Sequence, residues 1–155
     1  MRNALCVILC LLATPLAAQN LTIRPDTSLT ILGRTECNVR TGDIRITYNP
    51  TKESGLGNRL TLVHEMTHAA AIVGLGCQMA DSLYRTDAVF RFLSELDGYC
   101  SEARFQAMTG GLLLKGLPVN GIPFGLYMFL TYGRGVGTMD STNALIRSRC
   151  PDLAP

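Results

Sequence analysis

Both histidines of the chain lie in one five-residue stretch, His64-Glu65-Met66-Thr67-His68. A spacing of four places the two imidazoles on one face of a helix, where they can reach the same metal ion. Zinc prefers nitrogen and oxygen ligands, and a catalytic zinc site keeps one position for water. Glu65 lies beside the two histidines and is suited to accept a proton from that water. The pattern therefore predicts a Zn²⁺ site with His64 and His68 as ligands and Glu65 as the catalytic base.

Apolar residues recur at helical spacing around this motif and predict a helix over 58–73 that is buried on most sides. The apolar stripe consists of Leu62, Met66, Ala69 and Val73, widened by Val63 and Ala70. Two core histidines without a metal ion are the alternative interpretation. It is disfavoured, because a buried helix would then hold two imidazoles and a carboxylate that all need partners.

The motif, on a helix that follows a strand, resembles the zincin metallopeptidases over about residues 43–105. The resemblance implies a small zincin-like domain that hydrolyses peptide bonds with zinc-activated water and without a covalent intermediate. It also implies that the strand before the helix lines the substrate cleft. Residues 43–48 are the expected strand, which would bind an extended peptide by main-chain pairing.

The third zinc ligand is not a histidine, because the chain contains only two. The pattern H-E-x-x-H-x-x-G-x-x-H is thereby excluded. Resemblance to gluzincins, in which a glutamate on a downstream helix completes the site, indicates Glu95. Residues 81–84 resemble the D-x-x-Y motif of aspzincins, so Asp81 is the alternative ligand. A surface ion pair between Glu95 and Arg91 is the competing interpretation of Glu95.

Residues near Glu95 predict how the site is supported. Gly98 lies one turn further along the same helical face, where a small residue lets two helices approach closely. Some gluzincins carry an aspartate four residues after the glutamate, and Tyr99 stands there in this chain. Because ligating histidines usually donate to a carboxylate or a carbonyl, Asp97 and Glu102 are the candidates for that role.

Four tyrosines are candidates for the donor that stabilises a transition-state oxyanion. They are Tyr84, Tyr99, Tyr127 and Tyr132. Tyr84 is the tyrosine of the aspzincin-like segment. The sequence does not rank the four.

The remaining pattern predicts an α+β domain over residues 19–155, with a short N-terminal β-sheet followed by the motif helix and a second core helix. Strands are expected at 21–23, 29–32 and 43–48, and the second helix from Thr86 or Asp87 to 108. A connector carrying Cys77, Asp81 and Tyr84 joins the two helices. Residues 122–132 form either a helix or a strand pair, and a short helix follows Thr138.

Residues 1–18 have the layout of a secretory signal peptide, with one positive charge, a short apolar run and small residues at the exit. Export to the periplasm or the exterior is therefore expected. Four cysteines remain after its removal, Cys37, Cys77, Cys100 and Cys150, and an even number predicts two disulfides. Three pairings are possible, and Cys37–Cys150 with Cys77–Cys100 is no more than a guess.

Composition excludes several classes of protein. Charged residues make up 17% and hydrophobic residues 47%, which is too apolar for a disordered chain. A net charge of +2 provides no basic surface for nucleic acid. No segment reaches the roughly 18 uninterrupted apolar residues of a membrane-spanning helix. The oligomeric state is not predicted.

The sequence thus predicts an exported zinc metallopeptidase whose partner is a peptide or protein substrate. Two other functions stay open. One is a non-catalytic, disulfide-stabilised binding module whose zinc is structural or lost. The other is a zinc amide hydrolase that acts on cell-wall amide bonds, which nothing in the sequence separates from peptide hydrolysis.

Overall fold

The computed structural model describes residues 20–53, 55–109 and 122–153, and the expected signal peptide at 1–18 lies outside these ranges. Within them a three-stranded sheet precedes five α-helices and a short 3₁₀ helix. The predicted α+β class is confirmed. No single helix in the described ranges is long and apolar enough to cross a membrane, although one bent pair of helices, 56–75 with 77–86, meets the length and composition criteria together.

The sheet consists of β1 (Leu21–Pro25), β2 (Gly33–Cys37) and β3 (Ile44–Tyr48) in the order β1-β3-β2. β1 pairs parallel and β2 antiparallel to β3. The central strand carries the buried residues Ile44 and Ile46, which pack with helix residues in one core cluster. The period-two alternation of these isoleucines is the feature that made β3 predictable.

The strand expected at 29–32 is wrong, because the chain forms a loop there and β2 begins at Gly33. The side chain of Asn49 holds this loop by donating to the carbonyl oxygens of Thr27 and Leu29 at 3.2 and 2.7 Å. The segment at 29–32 is rich in β-forming side chains but forms a loop, because the buried side-chain amide of Asn49 binds backbone carbonyl groups there.

Helix α1 (Leu56–Leu75) carries the histidine motif and confirms the first predicted helix. The expectation that it is buried on most sides is wrong, since Met66 and Val73 are 48% and 50% exposed. The buried positions are instead Thr61, His64, Glu65 and Ala69. The helix packs on the sheet and on a second helix through the face that bears the motif, so polar groups occupy much of its contact surface.

Residues 77–86, expected as a connector, form helix α2 (Cys77–Thr86). Helix α3 (Ala88–Met108) follows and confirms the second predicted helix. The carboxylate of Asp87 caps α3 by accepting from the backbone N–H groups of Val89 and Phe90, both at 2.9 Å. This cap satisfies two of the unpaired donors at the helix start.

Helices α4 (Phe124–Tyr132) and α5 (Met139–Arg149) and the 3₁₀ helix (Pro151–Leu153) pack against α3. The open choice at 122–132 is therefore resolved as a helix. The core of this half contains Phe92, Leu96, Cys100, Ala103, Phe124, Met128, Ile146, Cys150 and Leu153.

The four cysteines form two disulfides, as expected, but the guessed pairing is wrong. Cys37 is bonded to Cys77 and Cys100 to Cys150, with Cα atoms 5.6 and 5.7 Å apart. The first bond ties the end of β2 to the start of α2, and the second ties α3 to the end of α5. Two disulfides are typical of chains that fold in an oxidising compartment.

Candidate metal centre

The centre lies between α1 and α3, and a glycine permits their close approach. A Cβ atom at Gly98 would lie 2.6 Å from Nε2 of His64, closer than any side-chain atom can be accommodated without movement. The expected role of Gly98 is confirmed, because only glycine leaves room for the imidazole between the helices.

Three side chains in this gap offer ligand atoms to one point. The donor atoms of His64, His68 and Glu95 all lie within 4.8 Å of one another. Nε2 of His64 is 3.4 Å from Oε2 of Glu95, and Nε2 of His68 is 3.7 Å from Oε1. Ligands bound to zinc at 2.0–2.2 Å in a tetrahedron are roughly 3.4 Å apart. The two nitrogens and one carboxylate could therefore hold one metal ion.

Glu95 is thus brought to the histidines as expected from the sequence, and Arg91 is not its partner. Arg91 donates instead to the carbonyl oxygen of Tyr84 at 3.3 Å. Asp81, the alternative ligand, lies in α2 and accepts a hydrogen bond from Arg85 at 2.9 Å. The structure does not bring Asp81 into the group of donor atoms.

Each histidine is held through its second ring nitrogen. Nδ1 of His64 lies 2.6 Å from Oε1 of Glu102, and Nδ1 of His68 lies 3.0 Å from the hydroxyl of Ser94. Both contacts leave Nε2 directed at the gap, which is the orientation that a metal ligand needs. Glu102 takes the supporting role proposed for it.

Asp97 does not take that role, because it forms a two-point ion pair with Arg149 at 2.7 and 2.8 Å. Sequence reasoning missed Ser94. A usable signal existed, since Ser94, Gly98 and Glu102 recur at intervals of four. They lie opposite the apolar stripe of α3, which contains Leu93, Leu96, Cys100 and Ala103.

The two histidines differ in charge because they differ in partners. Burial disfavours the imidazolium of His64, but the hydrogen bonds and negative charges of Glu102 and Glu95 raise its pKa to about 10. Burial dominates at His68 and lowers its pKa to about 4. The pKa of Glu95 is lowered, because the histidines and a tyrosine hydroxyl outweigh its burial. Of the two histidines, only His64 would therefore lose a proton when a cation binds.

Glu65 points from α1 toward β2. The hydroxyl of Thr35 lies 2.7 Å from Oε2 of Glu65 and 2.9 Å from its backbone oxygen. Burial raises the pKa of the Glu65 carboxyl, and the Thr35 hydrogen bond opposes this shift. A Cβ at Gly33 would lie 2.9 Å from Oε1, so β2 can pass this close only with glycine there. Thr35 and Gly33 were not identified from the sequence.

Tyr84 stands apart from the other three candidate tyrosines, because its hydroxyl donates to Oε1 of Glu95 at 2.5 Å. Burial, followed by the charge of Glu95, raises the pKa of Tyr84 above its ordinary value. The phenol therefore keeps its proton at physiological pH and donates it in a hydrogen bond to the carboxylate.

The remaining three tyrosines form one cluster. The Tyr99 ring lies edge-on to His64 at 4.8 Å, and its hydroxyl is 3.0 Å from that of Tyr127. Tyr127 packs edge-on against Tyr132 at 6.3 Å. Burial is the largest cause that raises the pKa values of Tyr99 and Tyr132. All four tyrosines line the same cleft as the metal-ligand candidates.

The cleft has a volume of about 1010 Å³ and is walled by β2, α1, α2, α3 and α4. Its lining includes the whole of Gly33–Cys37 and no residue of Ile44–Tyr48. The expectation that residues 43–48 line the cleft is therefore wrong. β3 is hydrogen-bonded on both sides, whereas β2 is an edge strand, and only an edge strand has unpaired backbone groups to offer.

Comparison with protein-family models, with curated proteins and with solved structures finds no match to this chain.

Proposed function

We propose that this chain is a zinc-dependent peptidase in which His64, His68 and Glu95 bind Zn²⁺ and Glu65 is the general base. The observation that carries the proposal is the convergence of these three donor groups beside a large cleft, with Glu65 as a second buried carboxylate in the lining of that cleft. The resemblance to gluzincins implies the same assignment of roles.

Zinc is favoured by the chemistry of the donor set. Two imidazole nitrogens and one carboxylate are a common ligand set of catalytic zinc, with the fourth position left to water. When bound, zinc polarises a substrate carbonyl and lowers the pKa of a water molecule to about 7. The supports at Glu102 and Ser94 fix both imidazoles with Nε2 facing inward.

Glu65 is suited to move the proton. Because burial raises the pKa of its carboxyl, the carboxylate is a better proton acceptor than an exposed glutamate. Thr35 holds one carboxylate oxygen, so the other is free to face the attacking water. Glu65 takes the proton from that water and later passes it to the leaving amine.

The substrate is a peptide or protein segment in extended conformation. β2 offers the backbone N–H and C=O groups of a free sheet edge along the cleft, and an extended peptide can add to such an edge as a further strand. The oxyanion donor is drawn from Tyr99, Tyr127 and Tyr132, because the Tyr84 hydroxyl gives its single proton to the Glu95 carboxylate, whereas the hydrogen bond between Tyr99 and Tyr127 uses the proton of only one of its two hydroxyls.

The two alternative functions, a binding module with structural zinc and a cell-wall amide hydrolase, require different features of the site or the substrate. A structural zinc site is closed by a fourth protein ligand, whereas the donor group found in the described ranges has three members and borders a cleft. This favours catalysis over a binding module. A cell-wall amide hydrolase would use the same donors, so parallel assays on a labelled protein and on purified cell wall separate the two substrates.

With its two disulfides, the protein acts after export, in the periplasm or outside the cell.

The test of the proposal is Glu65→Gln. The amide keeps the size of the side chain but cannot accept the proton, so hydrolysis of a labelled protein should fall by about 10²–10⁴-fold. The zinc content of the variant should match that of the wild type, because Glu65 is not among the ligands. A variant with unchanged turnover would refute the general-base role, and a wild-type protein that binds no transition metal would refute the proposal as a whole.

A further inference from the structure

The two oxygens of Glu95 have different partners. Oε1 accepts the hydrogen bond from Tyr84 at 2.5 Å. Oε2 lies 3.4 Å from Nε2 of His64. Glu95 is one of the least exposed residues of the site, at 7%, so bulk water does not compete for Oε1. Both oxygens thus lie near a histidine nitrogen, since Oε1 is also 3.7 Å from Nε2 of His68, but within the described residues only Oε1 accepts a hydrogen bond.

Tyr84 reaches Glu95 from an element of its own. α2 begins at Cys77, which is bonded to Cys37 at the end of β2. The helix is therefore anchored to the cleft strand, and Tyr84 lies two turns further along it. Tyr84 is 38% exposed, so its contact with Glu95 is made through the hydroxyl rather than through burial of the whole side chain.

We propose that Tyr84 is a positioning residue for the metal site and not the oxyanion donor. Its hydroxyl holds Oε1 and leaves Oε2 as the carboxylate atom offered to the cation. A hydroxyl has one proton to donate, and a phenol that gives it to a carboxylate has none left for a substrate oxygen. The proposal rests on the metal site of the proposed function but not on peptide hydrolysis.

The hydrogen bond has two consequences for the ion. It fixes the orientation of the carboxylate before the ion arrives, so less conformational freedom is lost on binding. It also makes Oε1 a weaker ligand for the cation, because an oxygen that already accepts a strong hydrogen bond has less electron density to share. Oε1 then does not displace water from the cation. Loss of the hydroxyl should therefore change both the affinity and the coordination of the metal.

The decisive variant is Tyr84→Phe, with Tyr48→Phe as its matched control. Tyr48 lies at the end of β3, outside the cleft lining, and loses the same hydroxyl. Zn²⁺ affinity is measured by competition with a coloured chelator, and Co²⁺ is added to each protein to record its visible absorption. Cobalt absorption reports the number and geometry of ligands and does not depend on turnover.

Tyr84→Phe should bind Zn²⁺ about 10–100-fold more weakly, the usual effect of losing a partner of a ligand, and its Co²⁺ bands should shift. Tyr48→Phe should match the wild type in both. Because the chain has no tryptophan, metal binding to the wild type should also perturb the tyrosine absorption near 290 nm. An unperturbed spectrum would contradict the proposal even if the Phe variant fails to fold. A perturbed spectrum is assigned to Tyr84 only when Tyr84→Phe reduces it, because the Tyr99 ring also lies 4.8 Å from that of His64.

The outcomes separate this proposal from the proposed function. Wild-type affinity and an unshifted Co²⁺ spectrum in folded Tyr84→Phe would overturn the positioning role while leaving the peptidase assignment intact. A wild-type protein whose tyrosine spectrum ignores the metal would do the same. If the wild type takes up neither Zn²⁺ nor Co²⁺, the metal site itself is wrong and both proposals fall.

Discussion

Gly98 on α3 and His64 on α1 occupy positions that exclude any side chain larger than hydrogen between them. A Cβ atom built on Gly98 would lie 2.6 Å from both Cε1 and Nε2 of the imidazole. Glu102, one turn further along α3, holds the opposite side of the same ring at 2.6 Å. The hydrogen bond to Glu102 and the space left by Gly98 together fix the imidazole ring, and they thereby determine the position of its Nε2 atom.

The first prediction is that Gly98→Ala weakens both metal binding and the fold. The added methyl must displace the imidazole, which is the movable partner of the clash. Zn²⁺ affinity should fall by at least about tenfold, the lower limit for disturbing the support of a ligand. Unfolding free energy should fall by about 1–3 kcal/mol, the usual effect of overpacking. A chelator competition assay and thermal unfolding measure the two quantities.

Gly74→Ala is the matched control for that variant. Gly74 lies near the end of α1, and an added Cβ there meets nothing within 4 Å. Alanine is favoured over glycine in a helix by about 1 kcal/mol, so this variant should be slightly more stable and bind metal normally. Normal metal affinity in Gly98→Ala would contradict the ring position that the structure gives.

A second prediction distinguishes the two carboxylates proposed as third ligand. Glu95→Ala should lower the metal content of the purified protein sharply, because it removes one of the three converging donors. Asp81→Ala should leave it unchanged, since Asp81 is engaged with Arg85 on an exposed part of α2. Elemental analysis of both variants checks this. The reverse result would favour the aspzincin-like assignment.

Local patterns predicted much of the site. The spacing of His64 and His68 placed them on one helical face. Helical spacing also placed Gly98 on the face of α3 that carries Glu95, whereas the choice of Glu95 as ligand came from the resemblance to gluzincins. The cap at Asp87 was also predictable, because capping depends on neighbours two and three residues along the chain. Each of these features is determined by residues within one or two turns of a helix.

Features that depend on distant residues were not predictable in the same way. β2 is the cleft strand because it is the edge strand that packs beside α1, and a single strand's sequence does not contain that information. The pairing of Cys37 with Cys77 likewise follows from the position of the start of α2 beside the end of β2. The loop held by Asn49 shows the same limit, since a side chain 20 residues away overrides a local β pattern.

His64 and His68 also differ in a way that only the assembled site reveals. The carboxylates of Glu102 and Glu95 raise the pKa of His64 to about 10, whereas burial lowers that of His68 to about 4. At pH 6 His64 is therefore protonated on both nitrogens and His68 is neutral. Glu95 is ionised at this pH, because its pKa lies below the ordinary value of 4.5.

The third prediction is that Zn²⁺ binding at pH 6 releases one proton, from Nε2 of His64. At this pH, water bound to zinc, with a pKa of about 7, keeps its protons. Calorimetric titrations in two buffers of different ionisation enthalpy give the proton count. Glu65→Gln is titrated beside the wild type, because burial raises the pKa of the Glu65 carboxyl and a proton bound there would add to the wild-type count alone. Release of no proton from Glu65→Gln would mean that His64 is neutral before the ion binds, contrary to its two carboxylate partners.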